Sequence, residues 1–325
     1  MKKILIITNE SDPLQNEIFH KYLSKDYQFI IFNIDLVQQN ILTVSEYYFE
    51  LNGLKIEISS INLIWYRRFT FLESDSILKS LINAQQLEIN TALFMYTEYK
   101  QLLLGLLHLL KNIPTINGID LFYSGNYKVS NFSKAVEFGF NIPSSIVSND
   151  ISKIKEFGNT HTWNIILKTF FTVTYQKDDI EFYVPVKKIN YIDIHNSQES
   201  IKTFPIYLQQ YIEKEYELRI VVIGKEIFPF AIYSQDEESA KIDFRINDLS
   251  KLKHELVEIP NSLTNSILKY IDFYKIDIGS FDIVYTPDNI YYFLECNLDG
   301  EWFWLEQITG INLTDKIWKL ILKKF

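Results

Sequence analysis

The pattern of apolar and polar positions predicts alternating strands and helices through the first third of the chain. Residues 3–8 form a short apolar run bounded by polar residues, the mark of a buried parallel strand. Ser11-Asp12-Pro13 signals a helix start, and residues 14–23 supply the helix. A second strand follows at 28–34, then a hairpin over 47–58 that turns at Asn52-Gly53. Residues 61–66 read as another buried strand, and residues 80–110 as largely helical. The segment 113–118, containing Pro114 and Gly118, ends that helix and marks a boundary. This alternation predicts an open α/β domain over residues 1–118. No glycine-rich dinucleotide fingerprint follows the first strand, so the reading includes no dinucleotide there.

Beyond residue 118 the pattern shifts toward hairpins. A helix over 126–140 ends near Gly139, with Pro143 unable to continue it. Lys128 stands in its first turn, where the helix dipole disfavours a cation. It reads either as the partner of an anion or as a solvated surface lysine. A short helix at 152–157 precedes a strand at 163–168, which Lys168 closes. Residues 170–186 read as a hairpin with a polar turn at 176–179. The mixed, charged run 189–201 reads as a lip or an external surface, and 179–201 as strand-forming. Strands are predicted at 204–212, with Gln209 and Gln210 inside, and at 218–223, with Arg219 embedded. A charge in a strand core needs a partner. Residues 226–233 continue the sheet, Asp243-Phe244-Arg245 lies in a polar loop, and 263–274 is an amphipathic helix. Two strands, 278–285 and 290–297, flank Pro287-Asp288-Asn289. A glycine-containing loop then leads to a last helix over 313–325.

That last hairpin carries the sharpest chemistry. With its turn centred on Asp288-Asn289, Asp282 lies opposite Glu295, and Asn297 shares the Glu295 face. Phe281, Ile283, Leu294 and Cys296 then fall on the core face. Two carboxylates and an amide oxygen converge at roughly 5 Å between Cβ atoms. Such hard oxygen donors suit Mg²⁺ held jointly with phosphate oxygens. The alternative is the solvated outer face of an edge hairpin. Arg67 and Arg68 follow the 61–66 strand, at the sheet end where α/β folds bind ligands. They suit a carboxylate or phosphate held by paired hydrogen bonds, or a surface ion pair.

Composition narrows the partners. A chain of 325 residues is long enough for two or three domains with a substantial core. A net charge of −9 argues against nucleic acid as a partner. The single cysteine excludes an intramolecular disulfide and fits a reducing compartment. The N-terminal apolar run is too short for a signal peptide, and no segment reaches the ~18 apolar residues of a membrane span. A cytoplasmic protein with no membrane partner is therefore expected.

Taken in order, Lys128, the Gly139–Pro143 helix end, Lys168, the Gln209–Ile212 strand, Glu217-Leu218-Arg219, Asp282 and Glu295-Cys296-Asn297 resemble the ATP-grasp ligases. The resemblance covers the chain after about residue 120. Within that superfamily the sequence looks most like the graspetide synthetases, which macrocyclise microviridin-type ribosomal peptides. The features that carry this are Trp65-Tyr66-Arg67-Arg68, Asp243-Phe244-Arg245, and Leu294 to Asn297 running on to Gly300-Glu301-Trp302, Trp304-Leu305-Glu306 and Thr309-Gly310-Ile311.

The resemblance implies an ATP-grasp fold of class α/β, becoming α+β toward the C-terminus. It would comprise an N-terminal pre-grasp domain (1–118), a central subdomain with a leader-peptide surface (119–203) and a C-terminal antiparallel-sheet subdomain with the metal site (204–325). It implies ATP and Mg²⁺, a precursor peptide of leader plus core as partner, and a homodimer. Lys128 and Lys168 would contact phosphates, Gln210, Tyr211 and Ile212 would meet adenine, and Glu217 would take a ribose hydroxyl. Asp282, Glu295 and Asn297 would hold magnesium, and Arg219 would face the γ-phosphate and acyl phosphate. Arg67, Arg68, Asp243 and Arg245 would line the entry of the reacting side chain, with Asp243 as proton acceptor. One departure stands out: residues 169–174 hold no glycine where many ATP-grasp proteins close a glycine-rich loop over the phosphates. Two alternatives remain. One is a ligase acting on a small amino acid or a protein terminus; the other is a non-catalytic nucleotide-binding regulator.

Overall fold

The structure, a computed structural model, describes the whole chain except residues 15–21, 23–25, 38, 69–76, 79–80, 83–86, 122–126, 171–173, 178–179, 184–185, 238–239, 243–250 and 299. Its first seven strands are β1 (Lys2–Thr8), β2 (Tyr27–Asn33), β3 (Leu42–Val44), β4 (Tyr48–Leu51), β5 (Leu54–Glu57), β6 (Ile61–Tyr66) and β7 (Thr115–Ile116). A parallel sheet runs in the order β2-β1-β6-β7. Ile4, Leu5, Ile6 and Ile7 are all fully buried, as a strand covered on both faces requires. The small sheet β3-β4-β5 turns through Asn52 and Gly53, both at positive φ, as a tight hairpin turn demands. Helix α1 (Ile89–Leu109) precedes β7. It accounts for the C-terminal part of the helical stretch expected over 80–110. Apart from Leu14 and Tyr22, the helix expected at 14–23 lies outside the described residues.

The middle of the chain folds as helix α2 (Lys128–Glu137), β8 (Ser145–Ser148), α3 (Ile151–Thr160), β9 (Ile165–Lys168), β10 (Thr174–Lys177), β11 (Ile180–Tyr183) and β12 (Lys187–Ile189). Helices α4 (Tyr191–Asn196) and α5 (Gln198–Thr203) and strand β13 (Ile206–Gln210) complete it. An antiparallel sheet runs β12-β9-β13-β8, and β10-β11 is a separate hairpin. The core behind the four-stranded sheet is small and aliphatic: Ile154, Ile165, Ile189, Ile194, Ile201 and Leu208. The strand-forming reading of 179–201 holds only as far as Ile189. Beyond it a capping box, with Asn190 and Asp193 bonding each other's backbone, starts a helix instead.

The last third forms β14 (Tyr216–Ile223), β15 (Glu226–Ile232), β16 (His254–Leu256), α6 (Asn261–Tyr274), β17 (Ile278–Tyr285), β18 (Tyr291–Asn297), α7 (Phe303–Thr309) and α8 (Leu313–Leu322). The antiparallel sheet runs β16-β15-β14-β17-β18. One face buries Leu218, Ile220, Phe281, Ile283 and Phe293 against Phe140 and Tyr270. The other buries Val221, Ile223 and Phe230 in a cluster with Trp302, Leu305 and Ile317. That cluster also contains Ile4, Ile6, Leu63 and Trp65 of the parallel sheet, so it ties the two ends of the chain together. Helix α7 interrupts the loop expected between residues 297 and 313: it starts after Trp302 and stops at Gly310, whose positive φ terminates it. Among the described residues, no helix is long and apolar enough to cross a membrane.

Candidate active site

A cleft of about 690 Å³ opens between the β9–β13 sheet and the β14–β17–β18 sheet. Lys168, Gln210, Tyr211, Ile212, Glu217, Asp282 and Glu295 line it, so seven of the predicted residues converge from two separate sheets. Lys168, the last residue of β9, donates to Gln209 Oε1 at 3.3 Å. Gln209 is buried, and its amide nitrogen donates to Ser145 Oγ at 3.1 Å and Tyr207 Oη at 2.9 Å. This network fixes the lysine's base against the sheet.

After β13 the backbone turns along the cleft wall. The Gln210 N–H donates to the Ser144 carbonyl at 2.8 Å, and the Tyr211 N–H to the Asn164 carbonyl at 2.9 Å. The Asn164 side chain donates back to the Tyr211 carbonyl at 3.3 Å. Among the described residues, the Ile212 N–H has no such backbone partner. Glu217 lies inside β14, which starts two residues before the strand expected at 218–223. Burial pushes its carboxyl above the usual range, while Lys214 and a hydrogen bond from Ser234 Oγ at 3.1 Å pull the other way. Lys214 also donates to the Ile242 carbonyl at 3.2 Å. It lines the cleft, and the sequence reading passed over it among the three glutamates of residues 213–217.

The acidic end stands as expected, by a different route. Asp282 pairs with Glu295, but the turn is offset, with Tyr285 opposite Tyr291. A bulge between Asp282 and Ile283 restores the register by taking up one extra residue, Leu294. Phe293 therefore takes the core place expected for Leu294, which lines the cleft instead. Asp282 also pairs with Arg219 across β14, and Arg219 Nη1 donates to Asp282 Oδ1 at 2.7 Å. Asn297 Nδ2 donates to Asp282 Oδ2 at 3.1 Å. Lys128, at the start of α2, reaches Glu295 at 3.0 Å and the Thr169 carbonyl at 3.2 Å, so its anionic partner is present. Cys296 points to the core, where burial pushes its thiol up and keeps it out of the chemistry.

This donor set fits a hard divalent cation. Asp282, Glu295 and Asn297 lie on adjacent antiparallel strands, and turning the Asn297 amide over would present oxygen in place of nitrogen. Among the described residues, no cluster of three or more His, Cys, Asp or Glu side chains forms a complete cage. Two carboxylates plus an amide suit Mg²⁺, which keeps waters and takes substrate phosphates as further ligands.

The two neighbouring arginines part company. Arg67 is buried and grips Asp12 with two hydrogen bonds, Nε–Oδ2 at 2.7 Å and Nη2–Oδ1 at 3.0 Å. Burial pushes the Asp12 carboxyl up, but Arg67, Thr8 and the Leu14 N–H together hold it below its usual range. Arg68 adopts a positive φ and turns the other way. Its Nη2 lies 2.8 Å from Glu301 Oε1. Glu301 in turn accepts from Arg219 Nη2 at 3.2 Å through its backbone carbonyl. In the sequence Asp12 reads only as part of a helix start and Glu301 only as part of the motif carrying the family resemblance. Neither arginine partnership was foreseen, because both join residues far apart in the chain. Asp243 and Arg245 lie outside the described residues, directly after cleft-lining Ile242.

Residues 189–321 match the family model of the RimK-like ATP-grasp domain. No curated protein matches the sequence. Solved structures match over the whole length. A ribosomal-peptide-associated ATP-grasp ligase from Chryseobacterium gregarium, in complex with ADP and a leader and core peptide, is 26% identical. It covers 100% of this chain and 98% of its own, with a TM-score of 0.84. A macrocyclase from Microcystis aeruginosa bound with its precursor peptide is 21% identical over 99% of this chain and 100% of its own, with a TM-score of 0.82. The D-Ala:D-Ser ligase of Enterococcus faecalis shares the fold at 12% identity, covering 100% of this chain and 99% of its own, with a TM-score of 0.61. The two-sheet cleft, the family model and the full-length structural matches agree: the chain has the ATP-grasp fold, with a RimK-like ATP-grasp domain over residues 189–321.

Proposed function

We propose that this ligase macrocyclises a ribosomal precursor peptide, activating its Asp or Glu side chains with ATP. The observation that carries this reading is the end-to-end likeness to a ligase complexed with ADP, leader and core peptide, at 26% identity. The products are ω-ester or ω-amide rings, ADP and phosphate. Ile212 offers its backbone N–H, and Gln210 and Tyr211 their neighbouring groups, to the adenine edge. Glu217 takes a ribose hydroxyl, and Lys128 and Lys168 hold phosphate oxygens. Asp282, Glu295 and Asn297 would hold magnesium, which would free Lys128 from Glu295 to meet the phosphates. Bound Mg²⁺ neutralises the charge that gathers on the transferred phosphoryl group.

In the first step a substrate carboxylate oxygen attacks the γ-phosphorus, and the bond to the ADP oxygen breaks. Arg219 stabilises the phosphoryl oxygens from its place beside Asp282. In the second step a Ser or Thr hydroxyl, or a Lys amine, attacks the acyl carbon and phosphate leaves. Asp243 is assigned the departing proton, and Arg245 and Arg68 the substrate side chain; Arg67 holds the neighbouring backbone through Asp12. The leader is assigned to residues 179–201, on the hairpin and helices of the central part.

The test is incubation of the full-length protein with ATP, Mg²⁺ and an Asp/Glu- and Ser/Thr-rich candidate precursor, followed by mass spectrometry. Loss of one water per ring, with ADP released in step, is expected. ADP release only with free amino acids would favour the small-substrate ligase. Nucleotide binding without ADP release in the presence of any peptide or amino acid would favour the regulator.

A further inference from the structure

The most unusual feature outside the nucleotide end of the cleft is a residue that touches two arginines by two different groups. Glu301 meets Arg68 with its carboxylate and Arg219 with its backbone carbonyl. The same carbonyl also accepts from Trp304 Nε1 at 3.1 Å, so the backbone here is anchored while the side chain is half exposed. Among the described residues the buried Nε–H of each arginine has no partner, and the Arg219 side chain is only 9% exposed. A buried guanidinium nitrogen with no acceptor is unfavourable, and a planar carboxylate is the group that satisfies a guanidinium by two parallel bonds. Arg68 is held toward this point by a backbone conformation at positive φ that a non-glycine residue adopts only under constraint. Ser11 Oγ, 3.3 Å from Arg68 Nη1, steadies the other edge of its guanidinium.

We infer that the Glu301 carboxylate is a resident stand-in for the substrate's acidic side chain, and that Arg68 is the residue that selects that side chain. This rests on the reading that an Asp or Glu side chain is the group activated. The incoming carboxylate displaces Glu301 from Arg68. One of its oxygens then lies toward Arg219, which contacts both Glu301 and the metal-site Asp282. The Glu301 backbone carbonyl stays on Arg219 throughout, so the side chain swings without disturbing the arginine beside the phosphoryl group. The displaced ion pair is half exposed, so its loss is a modest tax on binding. Competition from Glu301 thereby favours substrates whose acid engages both arginines over acids that reach only one.

The experiment uses the full-length protein with ADP and Mg²⁺, and N-acetyl-glutamate amide and N-acetyl-glutamine amide as probes, titrated by calorimetry. Glu301→Gln keeps the backbone carbonyl and the side-chain size but removes the competing charge. It should tighten binding of the glutamate probe by roughly two- to fivefold and leave the glutamine probe unchanged. Arg68→Ala should abolish the preference for glutamate, and adding Glu301→Gln to it should then change nothing. Thermal unfolding checks that each variant is folded, and Glu301→Asp, which keeps the charge, should behave like the wild type. If Glu301→Gln leaves glutamate binding unchanged or weakens it, the inference is wrong even where precursor cyclisation proceeds. If the glutamate preference follows Arg68 and Glu301 but no peptide is ever cyclised, the acid-recognition site stands and the macrocyclase reading fails.

Discussion

Two arginine–aspartate pairs lie among the described residues, and they differ in how completely each is satisfied. At the end of the parallel sheet, the Asp12 side chain is fully buried and that of Arg67 is 5% exposed. Both carboxylate oxygens are used: one accepts from Arg67 and Thr8, the other from Arg67 and the Leu14 N–H. In the antiparallel sheet, Arg219 makes a single contact to Asp282, keeps an unpartnered Nε–H and shares its remaining bond with a backbone carbonyl. Asp282 opens onto the cleft. The chemical groups are the same, yet the first pair is closed by its partners and the second is open toward the cleft. A closed buried pair specifies geometry; an open one can exchange partners.

The largest effect should come from breaking the closed pair. Asp12→Asn leaves Arg67 buried with no countercharge, and stability should fall by about 3–5 kcal/mol. Chemical denaturation measures it, and a loss no greater than that of a surface substitution would remove the contrast drawn above. The open pair should respond the other way round. On the function proposed above, Asp282→Asn would remove one magnesium ligand beside the phosphoryl group, so kcat should drop by roughly 10²–10³-fold. Its unfolding free energy should change less than that of Asp12→Asn, because Arg219 retains the Glu301 carbonyl. Steady-state ADP release and urea unfolding on the same preparations compare the two directly.

The two members of the open pair were legible in the sequence one by one, though not as a pair. The closed pair was not legible as a pair either: Arg67 reads only as a ligand-binding or surface residue and Asp12 only as part of a helix start. Arg219 stands out as a charge embedded in an apolar strand, and the face of Asp282 follows from period-two counting along its hairpin. Even so, Asp282 met Glu295 only because two one-residue deviations cancelled. The turn is offset from Asp288-Asn289, and a bulge at Leu294 makes good the difference, which is why Phe293 and Leu294 exchanged places. A slip of one residue inverts a strand's faces, and no local signal in Tyr-Tyr-Phe-Leu-Glu announces a bulge. Helix α7 went unread because Trp302-Phe303-Trp304 carries aromatic side chains that fit a strand or an anchored loop equally well. The Asn190–Asp193 capping box was visible, but the mixed run around it masked the signal. Asp12 and Arg67 are separated by 55 positions, and nothing near either residue names the other. Gln209, beneath Lys168, and Glu301, between Arg68 and Arg219, are of the same kind. Their roles come from the packing of one sheet or loop against another, which a single sequence does not encode locally.

The smallest expected effect gives the finest discrimination between the two pairs. If the Asp12–Arg67 pair matters only because each charge neutralises the other, removing both charges together should restore most of what one substitution loses. Asn at position 12 keeps an oxygen acceptor for Thr8 or the Leu14 N–H, both of which are otherwise stranded in a buried site. Met at position 67 fills the space of the Arg67 stem beside Trp65, whose ring the guanidinium covers at 5.0 Å. The double variant Asp12→Asn/Arg67→Met should therefore lie within about 1 kcal/mol of the wild type, because buried ion pairs replaced by matched neutral groups are often neutral in stability. Its ligation rate should stay close to that of the wild type, since Arg68 and Arg219 are untouched. A double variant that folds well but has lost ligation would show that Arg67 acts on the substrate itself, and the line between a closed and an open pair would have to be redrawn. The same neutralisation of the open pair, Asp282→Asn/Arg219→Met, should recover stability and no activity at all.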